Sequence, residues 1–438
     1  MEKKQQGVRR YILSLQILLL SVLMFGTGVL FGSEILVSQA QGGNTTLSEE
    51  MQESFAPLFQ AYNLIQQQYI DDIETDQLVD GAINGMVESL EDEYSNYVDP
   101  EFFDYMDENL SGQIEGIGTT IEENEDGLIQ VVNVLPNTPA ERAGVQVGDI
   151  FLRVNGEDVT ELNTLELVTK VRGPSGTVVD ITFMRGEEEV TYSLERAPIQ
   201  IPNIEVEMLE GNIAYIKMAN FTSLAREQVD DAVASLDLET TDGLIFDLRD
   251  NPGGFLTTAT EIAGLFLKDG VILVEEFGNE SAVTFSIRDG EVLQTQATGE
   301  TSTYSTNARY YAFDFPVVVL VNERSASASE LVAGAWQDNG VATIVGETTF
   351  GKGSVQLQNT LINGGGLRLT VARWLTPNGT SISQVGVVPD IMVVVDEEML
   401  EADEDPQLDA ALEFLRTGVI PAQPEPNEVE AEGAAVGE

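Results

Sequence analysis

Short apolar runs alternate with helical segments from residue 204 to about residue 395, over nearly half of the 438-residue chain. The apolar runs predict buried strands at residues 213–218, 243–248, 317–321 and 342–345. The segments between them predict helices at residues 224–236, 257–267 and 329–336. Strands that alternate with helices pack as layers, with the helices covering the sheet. This part of the chain is therefore predicted to be an α/β core.

The rest of the chain divides into shorter segments by periodicity and composition. Residues 48–110 carry apolar side chains at helical spacing and predict a helical module. Residues 111–198 contain short β runs separated by turns and predict a compact, mostly β domain. The core is assigned to residues 199–396. After it we expect a helical segment at 397–420 and a disordered acidic tail at 421–438, so the fold class is α/β (α+β) and multidomain.

The N-terminal sequence predicts that the protein is directed to a membrane. Residues 1–10 contain Lys3, Lys4, Arg9 and Arg10, and the uncharged stretch at 11–33 would form a helix of about 35 Å, enough to cross a bilayer. The basic flank places residues 1–10 in the cytoplasm. With a spacer at 34–47, the remaining chain would lie outside the cytoplasmic membrane. The alternative is a signal peptide cleaved after Ala40, which would release a secreted protein.

The composition excludes several kinds of chemistry. The chain has no His and no Cys, which rules out Ser-His-Asp and Cys-His catalysis, disulfides and the usual zinc ligands. We expect no metal and no cofactor. The 74 acidic residues outnumber the 21 basic ones, and the net charge of −53 makes nucleic-acid binding unfavourable.

Without histidine, lysine is the natural general base, and the chain has six. Only Lys352 lies between two glycines, which allow a backbone to approach a reacting group closely. If residues 352–356 form a strand, Lys352, Ser354 and Gln356 share one face, and Gln356 could accept a hydrogen bond from the amine. The alternative is a solvated lysine in a surface turn. The segment 346–352 also approximates a phosphate-binding loop, but Gly353 stands where that motif requires Ser or Thr.

Two further segments could complete a hydrolytic site. Residues 322–330 join a predicted buried strand to a helix, where a serine hydroxyl would meet free backbone N–H groups. Ser327 with Glu330 also fits a capping box, and the residues alone do not choose among Ser325, Ser327 and Ser329. The segment 247–254 ends in a Gly-Gly turn that could aim an N–H at a bound carbonyl.

These motifs resemble, in order and spacing, the C-terminal processing peptidases, the tail-specific serine proteases of family S41 with an inserted PDZ domain. The similarity extends from about residue 50 to 396 and rests on residues 247–254, 325–330, 349–356 and 386–390. It implies a crotonase-like or ClpP-like core and a catalytic dyad of Ser327 and Lys352, supported by Gln356. It also implies an oxyanion hole formed by the N–H of Ala328 with that of Gly253 or Gly254.

The β domain resembles a PDZ domain, in which Gly116, Ile117 and Gly118 would receive the terminal carboxylate of a peptide that binds as an added strand. The expected function is serine endopeptidase activity toward protein or peptide substrates with free C-termini, outside the cytoplasmic membrane. A PDZ domain that only gates the site, a catalytically silent envelope adaptor and a homo-oligomeric scaffold remain alternatives.

Overall fold

The computed structural model describes residues 48–124, 126–395 and 404–419. The first of the described helices, α1 (Glu49–Gln68), begins after Ser48, whose hydroxyl accepts the Met51 N–H at 3.2 Å. The apolar side chains of α1 are exposed, Phe59 among them. Within the described ranges, no helix is both long and apolar enough to cross a bilayer. The predicted membrane anchor at 11–33 lies outside those ranges.

Helix α2 (Thr75–Glu88) is followed by β1 (Asn96–Val98) and α3 (Pro100–Ser111). Helix α3 begins where its sequence specifies a helix start: the Asp99 carboxylate accepts the Phe102 N–H at 3.0 Å, and Pro100 occupies the first turn. It ends at Gly112, whose φ of 79° suits a left-handed C-cap. This helix later supplies one wall of the candidate site.

The β domain follows in chain order as β2 (Gln113–Gly116), β3 (Thr119–Glu123), β4 (Ile129–Val134), α4 (Pro139–Ala143), β5 (Ile150–Val154), β6 (Glu157–Asp158), α5 (Thr164–Val171), β7 (Val178–Arg185), β8 (Glu188–Glu195) and β9 (Ala197–Gln200). Strands β3, β4, β5, β7 and β8 form a sheet in that order, while β6 pairs with β5 and β2 with β9. The sheet packs against α5 around Leu167, Ile181 and Phe183, which are fully buried.

The α/β core contains β10 (Ile204–Leu209), β11 (Ile213–Met218), α6 (Ala225–Ser235), β12 (Gly243–Asp247), α7 (Leu256–Ala263), β13 (Asp269–Phe277), β14 (Ala282–Arg288), β15 (Glu291–Gln296), β16 (Thr301–Ser305), β17 (Val317–Val321), α8 (Ala328–Asp338), β18 (Thr343–Gly346), β19 (Ser354–Thr360), β20 (Gly366–Leu375), β21 (Ile391–Met392) and α9 (Pro406–Thr417). One sheet has the order β10-β11-β12-β17-β18-β21 and is parallel from β11 onward.

Both faces of this parallel sheet are covered, as its continuous apolar strands require. In β17, Val317, Val319 and Val321 contact the cluster that contains α6, α7 and α8. The alternate residues Val318 and Leu320 contact the cluster that contains α9. The parallel strands therefore place their carboxyl ends, and the loops that follow them, at one edge of a rigid layer.

A second sheet has the order β1-β20-β13-β14-β15-β16, with β19 added on β20. Its pairings are antiparallel, and the sequence pattern did not predict its strands at β13–β16. The predicted helix at 257–267 is shorter in the structure, where α7 ends at Ala263 before Gly264. A side chain at Gly264 would meet Ile287 Cδ1 at 2.5 Å, so the close approach of this second sheet explains the glycine.

Candidate active site

The turn between β17 and α8 holds three serines in different surroundings. Ser325 Oγ donates to the Leu248 carbonyl at 2.8 Å, and Ser329 Oγ donates to the Asn251 carbonyl at 2.8 Å; both serines are fully buried. Ser327 lines a cavity instead, at the start of α8. Its φ of 54° and ψ of −110° lie outside the extended conformation typical of a helix N-cap. Such strain costs about 1–3 kcal/mol and concentrates at functional sites.

The glycine turn after β12 packs directly on this serine turn. A side chain at Gly253, whose φ is 103°, would lie 2.8 Å from the Ala326 carbonyl oxygen and 2.9 Å from the Ala328 nitrogen. At Gly254 it would lie 2.3 Å from the Phe221 carbonyl oxygen. The two turns approach so closely that only glycine fits at either position.

Asn251 joins the two turns and accepts a hydrogen bond from one of the glycine N–H groups. It is fully buried, and its Oδ1 accepts the Gly253 N–H at 2.9 Å. Its backbone carbonyl accepts the Ala326 N–H at 3.0 Å. Among the described residues, the N–H groups of Gly254 and Ala328 donate to no partner. These two donors remain available at the edge of the cavity.

A single buried carboxylate connects the serine turn to the lysine loop. Glu330 Oε2 accepts the N–H of Ser327 at 2.7 Å and that of Lys352 at 2.9 Å. Its Oε1 accepts the Gly351 N–H and the Thr349 hydroxyl, both at 2.6 Å. The predicted capping contact of Glu330 with the Ser327 backbone is therefore present, and the same carboxylate also fixes the backbone of the lysine loop.

The Lys352 side chain lines the cavity with Ser327. Burial lowers the pKa of its amine, and the nearby Arg368 guanidinium lowers it further, while Glu330 opposes these effects. The Nζ lies 5.4 Å from the centre of the Tyr94 ring. No hydrogen bond joins this amine to Ser327, or to another residue, within the described part of the chain.

Gln356 lines the same cavity, but its contacts differ from those expected. The condition that residues 352–356 form a strand is not met over its whole length, because β19 begins at Ser354 and a bulge follows Val355. Gln356 Nε2 donates to Ser354 Oγ at 2.8 Å and to Thr370 Oγ1 at 3.3 Å. The expected hydrogen bond with Lys352 is absent between these two described residues.

The cavity has a volume of about 700 Å³ and brings together the predicted catalytic and oxyanion residues Ser327, Lys352, Gln356, Ala328, Gly253 and Gly254. Apolar side chains such as Leu331 and Trp374 also line it, together with polar side chains that include Arg368. No cluster of three or more acidic residues suited to a metal ion occurs in the described ranges. The chemistry that this set of groups permits is acyl transfer by a hydroxyl, an amine and two backbone donors.

Four residues at the candidate site were not predicted from the sequence, or were predicted to have another role: Tyr94, Asn251, Glu330 and Arg368. Glu330 was considered only as a capping residue. Asn251 precedes the Gly-Gly turn in the segment 247–254. Its position is a signal, since asparagine side chains commonly hydrogen-bond the backbone two residues on. Tyr94 and Arg368 carry no local signal, because they reach the site from other strands and loops.

The predicted peptide-binding loop of the β domain lies at a small separate pocket. Gly116, Ile117 and Gly118 line it together with Phe151 and Val168, and its volume is about 70 Å³. Gly118 has a φ of 91°, and a side chain there would overlap Thr138, so this loop also requires glycine. Ile117 is 3% exposed and belongs to the domain core.

Three family models match the sequence. They are described as peptidase family S41, at residues 212–393, the PDZ domain, at 109–184, and the activating protease CtpB N-terminal domain, at 23–102.

Curated proteins and solved structures also resemble the chain. Carboxy-terminal processing protease CtpA of Bacillus subtilis is 35% identical over 358 residues, which is 81% of this chain and 72% of that protein. CtpB of the same organism is 30% identical over 383 residues, 85% of this chain and 76% of that protein. A solved photosystem II D1 C-terminal processing protease aligns with a TM-score of 0.42 and 25% identity, over 79% of this chain and 89% of that one.

Proposed function

The chain belongs to peptidase family S41, the carboxy-terminal processing serine proteases with a PDZ domain, and from this premise we propose that Ser327 and Lys352 form its catalytic dyad. The observation that carries this proposal is the buried Glu330 carboxylate, which holds the backbones of both residues at one cavity. A nucleophile and a base need a fixed mutual position, and here one carboxylate supplies it.

In the proposed acylation step, the neutral Lys352 amine takes the Ser327 proton while Oγ bonds to the scissile carbonyl carbon. The resulting ammonium then donates its proton to the leaving amine as the C–N bond breaks. Water, deprotonated by Lys352, attacks the acyl-enzyme, and the serine leaves with a proton from the ammonium. The lowered pKa of Lys352 favours the neutral amine that the first step requires.

We assign the oxyanion hole to the N–H groups of Ala328 and Gly254. The Gly253 N–H already donates to Asn251, so it is not free to bind an oxyanion. The Ala328 N–H belongs to the first turn of α8, where it has no partner within the helix. Two such preorganised donors stabilise the charge that develops in the transition state.

The hydrogen bond between the dyad residues is expected to form in the substrate complex. Catalytic hydrogen bonds are often long before substrate binds and shorten in the Michaelis complex. Displacing the amine from the Tyr94 ring toward Ser327 would complete the dyad. In that state the Gln356 carbonyl could accept from the amine, the supporting role proposed for it.

We further propose how the protein binds its substrate and where in the cell it acts. The substrate's C-terminal tail would bind the Gly116–Ile117–Gly118 loop of the PDZ domain as an added strand, and the core would cleave the chain near that tail. The catalytic part would lie outside the cytoplasmic membrane, held by the segment 11–33 or released after signal-peptide cleavage. The α/β core with its added antiparallel sheet would represent the crotonase-like arrangement, and homo-oligomers are compatible with this role.

Replacing either dyad residue tests the proposal. Ser327→Ala and Lys352→Ala should each abolish cleavage of a peptide with an apolar C-terminus while the thermal unfolding midpoint stays unchanged. Lys268→Ala, at an exposed lysine outside the cavity, is the matched control and should retain wild-type turnover. A fluorophosphonate should label the wild type at Ser327. Near-normal turnover in either dyad variant would refute the assignment, and a wild type that binds peptide without cleavage or labelling would indicate the adaptor alternative.

A further inference from the structure

The catalytic cavity has a charge opposite to that of the whole chain. The protein carries 74 acidic and 21 basic residues. Among the described residues that line the cavity there is no Asp or Glu, while Arg368 contributes a guanidinium and Lys352 an amine to its wall. The permanent positive charge of Arg368 in this cavity would attract an anionic group of a substrate.

Arg368 is partly buried and has no acidic partner among the described residues. It lies on β20, opposite Asn96 on β1 and Gln358 on β19. Burial lowers the pKa of its guanidinium, and neither a hydrogen bond nor an ion pair reaches it from the described residues. Arg249, in contrast, contacts both Asp247 and Asp405 at 2.7 Å.

A guanidinium that is partly removed from water without a counter-ion is unfavourable, and an arriving carboxylate would relieve that cost. Its planar set of N–H donors matches the two oxygens of a carboxylate. A role in the electrostatics of Lys352 explains why a positive charge lies here. It does not explain why the charge faces the cavity without a partner.

We propose that Arg368 is a specificity-determining residue that binds a substrate carboxylate inside the catalytic cavity. The inference rests on the proposed function and deepens it, because it assigns a second recognition element beside the PDZ loop. The carboxylate could be the terminal α-carboxylate of the substrate or an acidic side chain near the scissile bond. Either source would orient the substrate chain relative to Ser327.

The test compares kcat/KM for matched peptides with the full-length enzyme. One pair differs only in a C-terminal carboxylate or amide, and a second, amidated pair differs only in one Glu or Gln near the cleavage point. For at least one pair, the wild type should prefer the carboxylate by about tenfold or more, the size expected for a charge-assisted hydrogen bond. Arg368→Gln should reduce that preference about tenfold, and Arg368→Lys should give an intermediate value.

Because each ratio compares two substrates of one enzyme at one pH, any change in the pKa of Lys352 cancels. Any preference for the carboxylate peptide that the PDZ domain supplies persists in Arg368→Gln. Only the decrease in the kcat/KM ratio between wild type and Arg368→Gln therefore measures the contribution of Arg368. Arg373→Gln is the matched control, since Arg373 lies exposed on the same strand and does not line the cavity. It should keep the wild-type ratios.

The pair whose ratio falls identifies the source of the carboxylate. Wild-type ratios near one for both pairs, or ratios unchanged by Arg368→Gln, would overturn the proposal. Fluorophosphonate labelling of Ser327 separates this failure from a failure of the dyad. If the wild type were neither labelled nor active, the dyad assignment would be refuted and the Arg368 proposal with it.

Discussion

At the scale of single residues, the unusual feature is a lysine whose surroundings disfavour its charge. The Lys352 amine is partly buried near a second cation, and its backbone is fixed by the Glu330 carboxylate. The Glu330 carboxylate favours the charged lysine, yet burial and Arg368 outweigh it. The loop thus holds its lysine in place without pairing the side-chain amine with an acid.

The pH dependence of cleavage follows from this environment. If the neutral Lys352 amine is the base, kcat/KM should rise with pH through one ionisation, with its midpoint below the ordinary lysine pKa of 10.5. Arg368→Gln removes one cause of the lowered pKa, so its midpoint should move to higher pH. The pH–rate profile of an amidated peptide measures both values. A profile that falls with rising pH, or a midpoint that Arg368→Gln moves downward, would contradict the prediction.

At the scale of elements, the site is assembled where two strand-to-helix connections meet. The loop after β12 and the loop after β17 leave the same edge of the parallel sheet, as adjacent parallel strands must. The Asn251 backbone carbonyl then links them by accepting hydrogen bonds from the Ala326 N–H and the Ser329 hydroxyl, while its side chain accepts the Gly253 N–H of its own loop. The oxyanion donors therefore depend on contacts between the loops as much as on either loop alone.

Gly254→Ala tests this dependence. The added Cβ would lie 2.3 Å from the Phe221 carbonyl oxygen, and Gly254 has a φ of 149°, so the turn must shift. Losing one oxyanion donor typically lowers kcat by about 100-fold or more, and a similar loss is expected here. Gly278→Ala serves as the control, because nothing lies within 4 Å of its added Cβ. Steady-state kinetics measure kcat for both variants. A kcat within a few-fold of wild type for Gly254→Ala would count against the assignment of the Gly254 N–H to the oxyanion hole.

At the scale of the whole molecule, the second sheet buries an ionisable group that the proposed mechanism does not use. Glu275 on β13 is 5% exposed, opposite Val283 and Trp374 in the strand pairing. Its Oε1 has no hydrogen-bond partner among the described residues. Burial raises the pKa of Glu275 to about 7. The folded protein therefore binds this proton more tightly than the unfolded chain does.

Because the folded-state pKa is raised, the associated stability is present at acidic pH and is lost as pH rises toward and through about 7. Glu275→Gln, which stays neutral, should match the wild type near pH 4.5 and exceed its free energy of unfolding at pH 8 by up to about 3 kcal/mol. Glu276→Gln, exposed on the same strand, is the control. Urea unfolding at both pH values provides the measurement, and an equal difference at the two pH values would exclude the proposed titration.

Local sequence patterns were sufficient for the parallel strands, the helices that cover them and the glycines beside Lys352. Apolar runs report burial on both faces of a strand, and glycines report close backbone approach, so each signal is contained within a few neighbouring residues. The antiparallel strands β13–β16 gave a weaker signal, because half-exposed strands alternate apolar and polar residues over short lengths.

What the tertiary structure alone decided are relations between distant residues. In the tertiary structure Ser325 and Ser329 are buried and hydrogen-bonded, whereas Ser327 lines the cavity. The Gly253 N–H donates to Asn251, and Arg368 lines the same cavity as Ser327. Glu330 and Lys352 are 22 positions apart, yet one hydrogen bond joins them. Hydrogen bonding and burial act on distances in space, and those distances exist only once the sheets and helices have packed.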